Sequence, residues 1–221
     1  LLPFIFGPTL SIDDNKFFKE MITMNQYSHP ILMPPMSKEE LQLLPLFDHH
    51  GRYELVETIP AALKAIDELK NYSILGFDTE TRPSFTKGEF YHTALLQLAH
   101  HECCYLFRLN KIPLLREMVS ILEDENILKV GVGVRDDVIA LQRRHPFVPG
   151  GFIDLSEKTR LSKSVSLSLR SLCGMYLNQR LSKGAKVTNW ESLVLSQAQA
   201  KYAANDAFVS LFIFHKMYTL E

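Results

Sequence analysis

The spacing of apolar positions changes period several times along the chain, and each change marks an element. "RYELVET" (Arg52–Thr58) alternates as a strand does. "PAALKAIDELKNY", from Pro60, spaces its apolar residues as an amphipathic helix with proline in the first turn. "SILGFDTE" is apolar, bounded by turn-forming residues, and reads as a second strand. "HTALLQLAH" and "ECCYLFRL" predict two more strands, joined as a hairpin by a tight turn near His101. "PLLREMVSILEDE" is a helix and "ILKVGVGV" a strand. "RDDVIALQRRH" is a helix that stops before Pro146, and "GFIDL" is a short last strand. Helices follow at "SLSLRSLCGMYL" and across "SQAQAKYAANDAFVSLFIFHKMY". The order predicts an α/β fold, a mixed sheet with helices on both sides. Residues 1–50 read as an N-terminal extension, with proline-rich "HPILMPPM" extended and Ser37 and Glu40 forming a capping box for a short helix. Residues 51–221 form the one sizeable domain, without internal repeat or low-complexity tract.

Composition narrows the class only a little. Of 221 residues, 46% are hydrophobic and 22% charged, ordinary for a soluble globular protein. No apolar run is long enough to cross a bilayer, so no membrane partner is expected. The opening "LLPFIFGPTL" lacks a basic leader and is broken by proline and glycine, a poor fit to a signal peptide. It does not begin with Met, which leaves room for a longer precursor. Three cysteines make no disulfide framework. Cys103, Cys104 and Cys173 read as small buried hydrophobes in a reducing, cytoplasmic setting. A net charge of −1 gives no support for nucleic-acid binding, although a local basic patch or bound metal can supply the attraction.

The candidate chemistry lies in the acids. Asp78 and Glu80 are two apart on a strand, so they share a face and repel unless something positive lies between them. Alone, a D-x-E more often marks a strand leaving the core into water. Asp136 and Asp137 open a helix, where acids complement its dipole. Val138 and Leu141 face the core, which turns one of the two acids towards a site, and Asp137 is favoured. Tyr202 and Asp206 are four apart on a helix otherwise rich in apolar residues, so they share one side of it. An acid buried there needs a partner or a metal. Taken together, Asp78, Glu80, Asp137 and Asp206 make an oxygen-only set suited to two hard divalent ions, Mg²⁺ or Mn²⁺. Such a pair clamps both the attacking and the leaving oxygen of a phosphoryl displacement. The Tyr202 hydroxyl is placed to position the attacking water. "GVG" lacks the third glycine of a dinucleotide fingerprint, because position 136 is Asp, so Gly131 and Gly133 are expected to allow close packing or a turn.

These motifs give the chain a resemblance. "FDTET", "KVGVGVRDDVIAL" and "YAANDA", in that order, with "ALLQLA" after the first and "NW" before the third, resemble the DEDD superfamily of 3′–5′ exonucleases. The likeness is to its tyrosine subclass, near ribonuclease D and the Werner syndrome exonuclease domain, and covers about residues 52–219. The histidine subclass carries its histidine five residues before the last aspartate, and that position is Lys201. The resemblance implies a ribonuclease H-like fold with a five-stranded mixed sheet, and 3′–5′ hydrolysis of single-stranded or frayed DNA or RNA. It implies that Asp78 bridges two metal ions, Glu80 and Asp206 complete the tighter site, Asp137 holds the second ion, and Tyr202 binds the nucleophilic water. Ribonuclease D proper continues into helical nucleic-acid-binding domains, whereas this sequence ends at Glu221 with no helicase attached. The expectation is therefore a stand-alone Werner-type domain. Relatives commonly place a basic residue or proline after the tryptophan, where this chain reads "ESLVL" with acidic Glu191.

Two other readings compete with this one. A catalytically inactive nucleic-acid-binding module of the same fold has no physical need for the intact set of four acids and a tyrosine. A nucleotide-binding domain built on "GVG" lacks its third glycine and does not explain the strand hairpin. For the substrate path, Phe85, Phe90, Tyr91 and His92 follow the first motif, and loop packing is expected of them more than base stacking. Lys183, Lys186 and Trp190 precede the last helix, with Trp190 expected as a core anchor. Arg143, Arg144, Lys158, Arg160 and Lys163 are expected on a solvated face, and the pairs His49–His50 and His100–His101 carry no metal-ligand spacing.

Overall fold

The computed structural model describes residues 30–47, 49, 51–159, 167–182, 184–185 and 187–218. Residues 1–29, His50, Arg160, Lys163, Lys183 and Lys186 lie outside them. Thirteen elements follow one another: α1 (Lys38–Leu43), β1 (Arg52–Val56), α2 (Ile59–Leu69), β2 (Ile74–Thr81), β3 (Thr93–Ala99), β4 (Cys103–Arg108), α3 (Arg116–Glu123), β5 (Leu128–Gly131), α4 (Val134–Gln142), β6 (Phe152–Asp154), α5 (Leu155–Lys158), α6 (Leu169–Leu177) and α7 (Gln197–Tyr218). The sheet has six strands in the order β1-β4-β3-β2-β5-β6. Only β3 runs against its neighbours; the β1–β4, β2–β5 and β5–β6 pairs are parallel. Six strands correct the five implied by the resemblance. The extra one is β6, short but paired in register from Lys129↔Phe152 to Gly131↔Asp154.

The sheet is covered on both faces, and strand parity decides which residue meets which layer. Leu75 and Phe77 of β2, with Leu96, Leu98, Cys103, Tyr105 and Phe107, pack under α2, α3 and α4. The alternate residues Ile74, Leu95, Ala99, Cys104 and Leu106 pack under α6 and α7. Because both faces are buried, β3 and β4 carry no exposed residue at all. Part of the extension also belongs to this body. Phe47 N–H donates to the Arg180 carbonyl at 2.9 Å, Ile31 N–H to the Met217 carbonyl at 2.8 Å, and the Tyr176 hydroxyl to the Ile31 carbonyl at 2.8 Å. The capping box of α1 is present in both directions, Glu40 N–H to Ser37 Oγ and Ser37 N–H to Glu40 Oε2.

Two glycines let elements approach closely at the centre. A Cβ on Gly76 would lie 2.0 Å from the Ala207 carbonyl oxygen, so the backbones of β2 and α7 touch there. A Cβ on Gly131 would lie 2.7 Å from the Phe77 carbonyl oxygen, and Gly133 turns the chain into α4 with φ of 76°. "GVG" is thus a close approach followed by a turn, as the sequence predicts.

Gly76→Ala is expected to push α7 off β2 and to cost about 1–3 kcal/mol of stability in chemical denaturation. Gly184→Ala, whose Cβ would meet nothing within 4 Å, is the control expected to leave the midpoint unchanged. Equal midpoints for the two variants would refute the close crossing.

Candidate active site

The crossing at Gly76 and Ala207 sets the site. Asp78 follows Gly76 by two positions on the same face of β2, and Asp206 precedes Ala207 on α7. One carboxylate oxygen from each of Asp78, Glu80 and Asp206 lies within 4.8 Å of the others. Glu80 and Asp206 are buried and Asp78 is partly buried. Burial pushes the Asp78 carboxyl well above the usual carboxylate range, and the charges of Asp206, Asp137 and Glu80 push it further.

Asp137 arrives by another route. It stands on α4, which covers the opposite face of the sheet, and its Oδ1 accepts a hydrogen bond from the Thr79 hydroxyl at 2.5 Å. Thr79 is the middle residue of the D-T-E motif and points away from its two acidic neighbours. The structure therefore gathers Asp78, Glu80 and Asp206 into one cluster, and brings Asp137 to the same strand end from behind it. Burial raises Asp137 to about 6, against the lowering effect of the Thr79 bond. Asp136, its neighbour, is exposed.

Tyr202 lies one turn from Asp206 on α7, half-buried, with its ring centroid 6.2 Å from that of Trp190. Burial, together with the charge and hydrogen bond of Asp206, raises its hydroxyl above the ordinary tyrosine range, so it remains a neutral phenol. A cavity of about 380 Å³ runs from Tyr202 between Asn189, Ser192, Ser196 and Gln199. Trp190 itself is fully buried, as expected of a core anchor.

Three supporting residues escaped the sequence reading. Thr79 holds Asp137. Asp154 Oδ2 accepts from the Gly133 and Val134 amides at 2.9 and 3.2 Å, which fixes the turn that launches α4 and hence Asp137. Gln97 lies directly across from Asp78 in the β2–β3 ladder, fully buried, with both amide atoms lacking a hydrogen-bond partner. The strand register carries the signal for Thr79 and Gln97, because a cross-strand partner shares a face and the middle of D-x-E faces away. Two expectations are corrected. Phe85 and Phe90 do not pack into the loop after β2; they are 85% and 83% exposed. Arg144 is not on a solvated face, because its Nε donates to the Thr93 carbonyl at 2.6 Å.

The residues fit divalent metal. The donors are carboxylate oxygens only, mutually within reach of one ion, and a cation relieves the repulsion that raises Asp78. The orphaned Gln97 amide adds a buried hydrogen-bonding group beside that carboxylate, a costly arrangement that a functional site explains.

Comparison with known proteins shows the family. The profile of the 3′–5′ exonuclease family matches residues 53–220. "Exonuclease 3′-5′ domain-containing protein 2" of Drosophila melanogaster is 32% identical over 178 residues, covering 75% of this chain and 30% of that protein. The "Bifunctional 3′-5′ exonuclease/ATP-dependent helicase WRN" of Mus musculus is 30% identical over 155 residues, covering 67% of this chain and 11% of that protein. The chain thus spans less than a third of the length of either relative. Among solved structures, Trypanosoma brucei RNase D in complex with RNA U12 superposes with a TM-score of 0.70 at 18% identity, over 78% of this chain and 64% of that one, and shares the fold.

The raised Asp137 carboxyl makes a pH prediction for the metal-free protein. Its folded value near 6 exceeds its ordinary 3.8, so the native state binds more protons between those values and stability falls as pH rises through that window. Asp137→Asn removes the effect. Its Tm in EDTA is expected to match the wild type near pH 4 and to exceed it by roughly 5 °C at pH 7, about 2 kcal/mol at 2–4 °C each. Mn²⁺ at pH 7 should reverse the order. A gap that stays constant from pH 4 to 7 by scanning fluorimetry would disprove the shift.

Proposed function

The chain belongs to the 3′–5′ exonuclease family of the DEDD superfamily, and from that premise we propose that residues 51–221 are a metal-dependent nuclease unit that shortens single-stranded or frayed nucleic acid from its 3′ end. The observation that carries this reading is the convergence of Asp78, Glu80 and Asp206 within 4.8 Å, with Asp137 reaching the same strand end through Thr79. Two divalent ions, Mg²⁺ or Mn²⁺, bound there would supply a water acidic enough to attack at neutral pH and would neutralise the charge that develops on the leaving oxygen. Asp78, whose carboxyl feels the charges of Asp206, Asp137 and Glu80, would contribute to both ion positions. Glu80 and Asp206 would complete one position and Asp137 the other. Water attacks the phosphorus of the terminal phosphodiester, the bond to the 3′ oxygen breaks, and a nucleoside 5′-monophosphate leaves.

Tyr202 holds the attacking water. A phenol that stays protonated offers both a donor and an acceptor, so it aims the water rather than deprotonating it. Phe85 and Phe90, exposed on the β2–β3 loop just beyond Glu80, supply stacking surfaces for the unpaired strand, and stacking tolerates any base. The buried thiols of Cys103, Cys104 and Cys173, unpaired with one another and pushed up by burial, suit a reducing, cytoplasmic compartment. Among the described residues no helix is long and apolar enough to cross a membrane.

The test is degradation of 5′-labelled single-stranded DNA and RNA with Mn²⁺, Mg²⁺ or EDTA. A metal-dependent ladder shortening from the 3′ end, abolished by Asp78→Asn, is expected, and the strand that shortens identifies the sugar. Tight metal-independent binding without cleavage would replace this reading with the inactive binding module. Tyr202→Phe is expected to lower kcat about 10²- to 10⁴-fold, the range of positioned acid–base groups, with little change in KM. A larger rise in KM than fall in kcat would assign Tyr202 to strand binding instead.

A further inference from the structure

The β2–β3 loop and the stretch after Trp190 meet at one point beside the carboxylates. Arg82 stands two residues beyond Glu80, with its guanidinium carbon 4.4 Å from the centroid of the Tyr91 ring. Its Nη1 lies 3.5 Å from Oε2 of Glu191. Arg144, anchored to the carbonyl of Thr93 where β3 begins beside Thr81, also feels the charge of Glu191. One carboxylate therefore pairs with Arg82 and lies within electrostatic reach of Arg144, at the end of β2.

The position of Glu191 is built. Its own carbonyl accepts from Asn110 Nδ2 at 3.3 Å, and its amide donates to Asn189 Oδ1 at 3.0 Å. The next carbonyl, of Ser192, accepts from Arg108 Nη2 at 2.5 Å. Arg108 is fully buried and its Nη1 is paired with Glu57 at 3.1 Å. Asn189 and Ser192, on either side of Glu191, line the cavity that leads to Tyr202.

Stability does not account for the pair. The Arg82 and Glu191 side chains are 42% and 30% exposed and meet through a single pair of atoms at 3.5 Å, an arrangement that contributes little. A carboxylate on an arginine nonetheless has the charge and the two-oxygen shape of a phosphodiester, the group arginine binds best. We propose that Glu191 is an internal stand-in for a backbone phosphate: it occupies Arg82 in the free protein, and a phosphodiester of the incoming single strand displaces it. The inference rests on the exonuclease reading for the identity of that strand. Displacement sets affinity. A polyanion that merely passes finds Arg82 occupied, whereas a strand seated on the loop exchanges one anion for another. When the shortened strand leaves, Glu191 closes on Arg82 again.

The experiment is binding of fluorescein-labelled oligothymidylate and oligouridylate in EDTA, by anisotropy over a salt series, with no hydrolysis required. Glu191→Gln is expected to tighten binding about three- to fivefold at low salt, the range of an exposed ion pair. The slope of log K against log salt should steepen by about 0.7, one more phosphate engaged on a single strand. Arg82→Gln should weaken the wild type only slightly and erase the whole gain in the Glu191→Gln background, a coupling that independent sites lack. Glu191→Asp keeps the charge and should keep the wild-type slope. Unchanged or weaker binding by Glu191→Gln with the wild-type slope overturns the proposal. A lowered Tm with unchanged slope overturns it too, and assigns Glu191 to bracing the loop. The two readings fail separately. A steeper slope without metal-dependent cleavage of any strand sinks the exonuclease and leaves the stand-in. Cleavage with no change of slope does the reverse.

Discussion

The contact between the backbones of β2 and α7 is the constraint on which the site depends. At Gly76 no side chain separates the strand from the Ala207 carbonyl. That approach sets Asp206 against the face of β2 that carries Asp78 and Glu80. A side chain of even one carbon at position 76 would hold the helix away and open the cluster. The helix can lie so close because its inner residues around the contact are small, Ala200, Ala203, Ala204 and Ala207, all buried. Phe208, Leu211 and Phe214 then fill the space farther along the sheet. The same packing that builds the core thus forces like charges together, and the large apolar burial of a 221-residue chain is what makes that tolerable.

Topology explains why the cluster lies at this strand end. β2 is followed by β3 on one side, and the chain crosses through α3 to β5 on the other. In open α/β sheets the crevice beyond the strand ends at such a reversal is where ligands bind. β5 pairs with β2 only from Ile74↔Leu128 to Gly76↔Val130, then turns away at Gly131 and Gly133. Among the described residues the second half of β2 therefore has no strand neighbour on that side, and Asp137 reaches it through Thr79.

Much of this was legible in the sequence because it follows from period alone. A strand with acids at i and i+2, and a helix with Tyr202 and Asp206 at i and i+4, predict side chains that share a face. The β6 segment was legible too, as "GFIDL", although the resemblance implied one strand fewer. What stayed hidden depends on long-range register. Nothing local says that Thr79 meets Asp137, 58 residues away, or that Asp154 caps the turn before α4. The exposure of Phe85 and Phe90 was not legible, because large aromatic residues are ordinarily assigned to packing.

The two faces of the sheet do different work at the site, and this bears on how the protein tolerates change. Residues on the α7 face hold the clustered charge, so alterations there act directly on electrostatics. Residues on the α4 face act through geometry: Thr79 fixes the Asp137 carboxylate, and Asp154 fixes the helix that bears it. Loss of either hydrogen bond leaves the three-acid cluster intact while misplacing the fourth acid. On the proposed two-ion reading, a defect of that kind would weaken only the position assigned to Asp137, and higher cation concentration would compensate for it by mass action. Loss of Asp78, whose carboxyl feels the charges of the other three, would have no such remedy. The division gives the middle residue of the D-x-E motif a task of its own, because Thr79 holds the fourth acid.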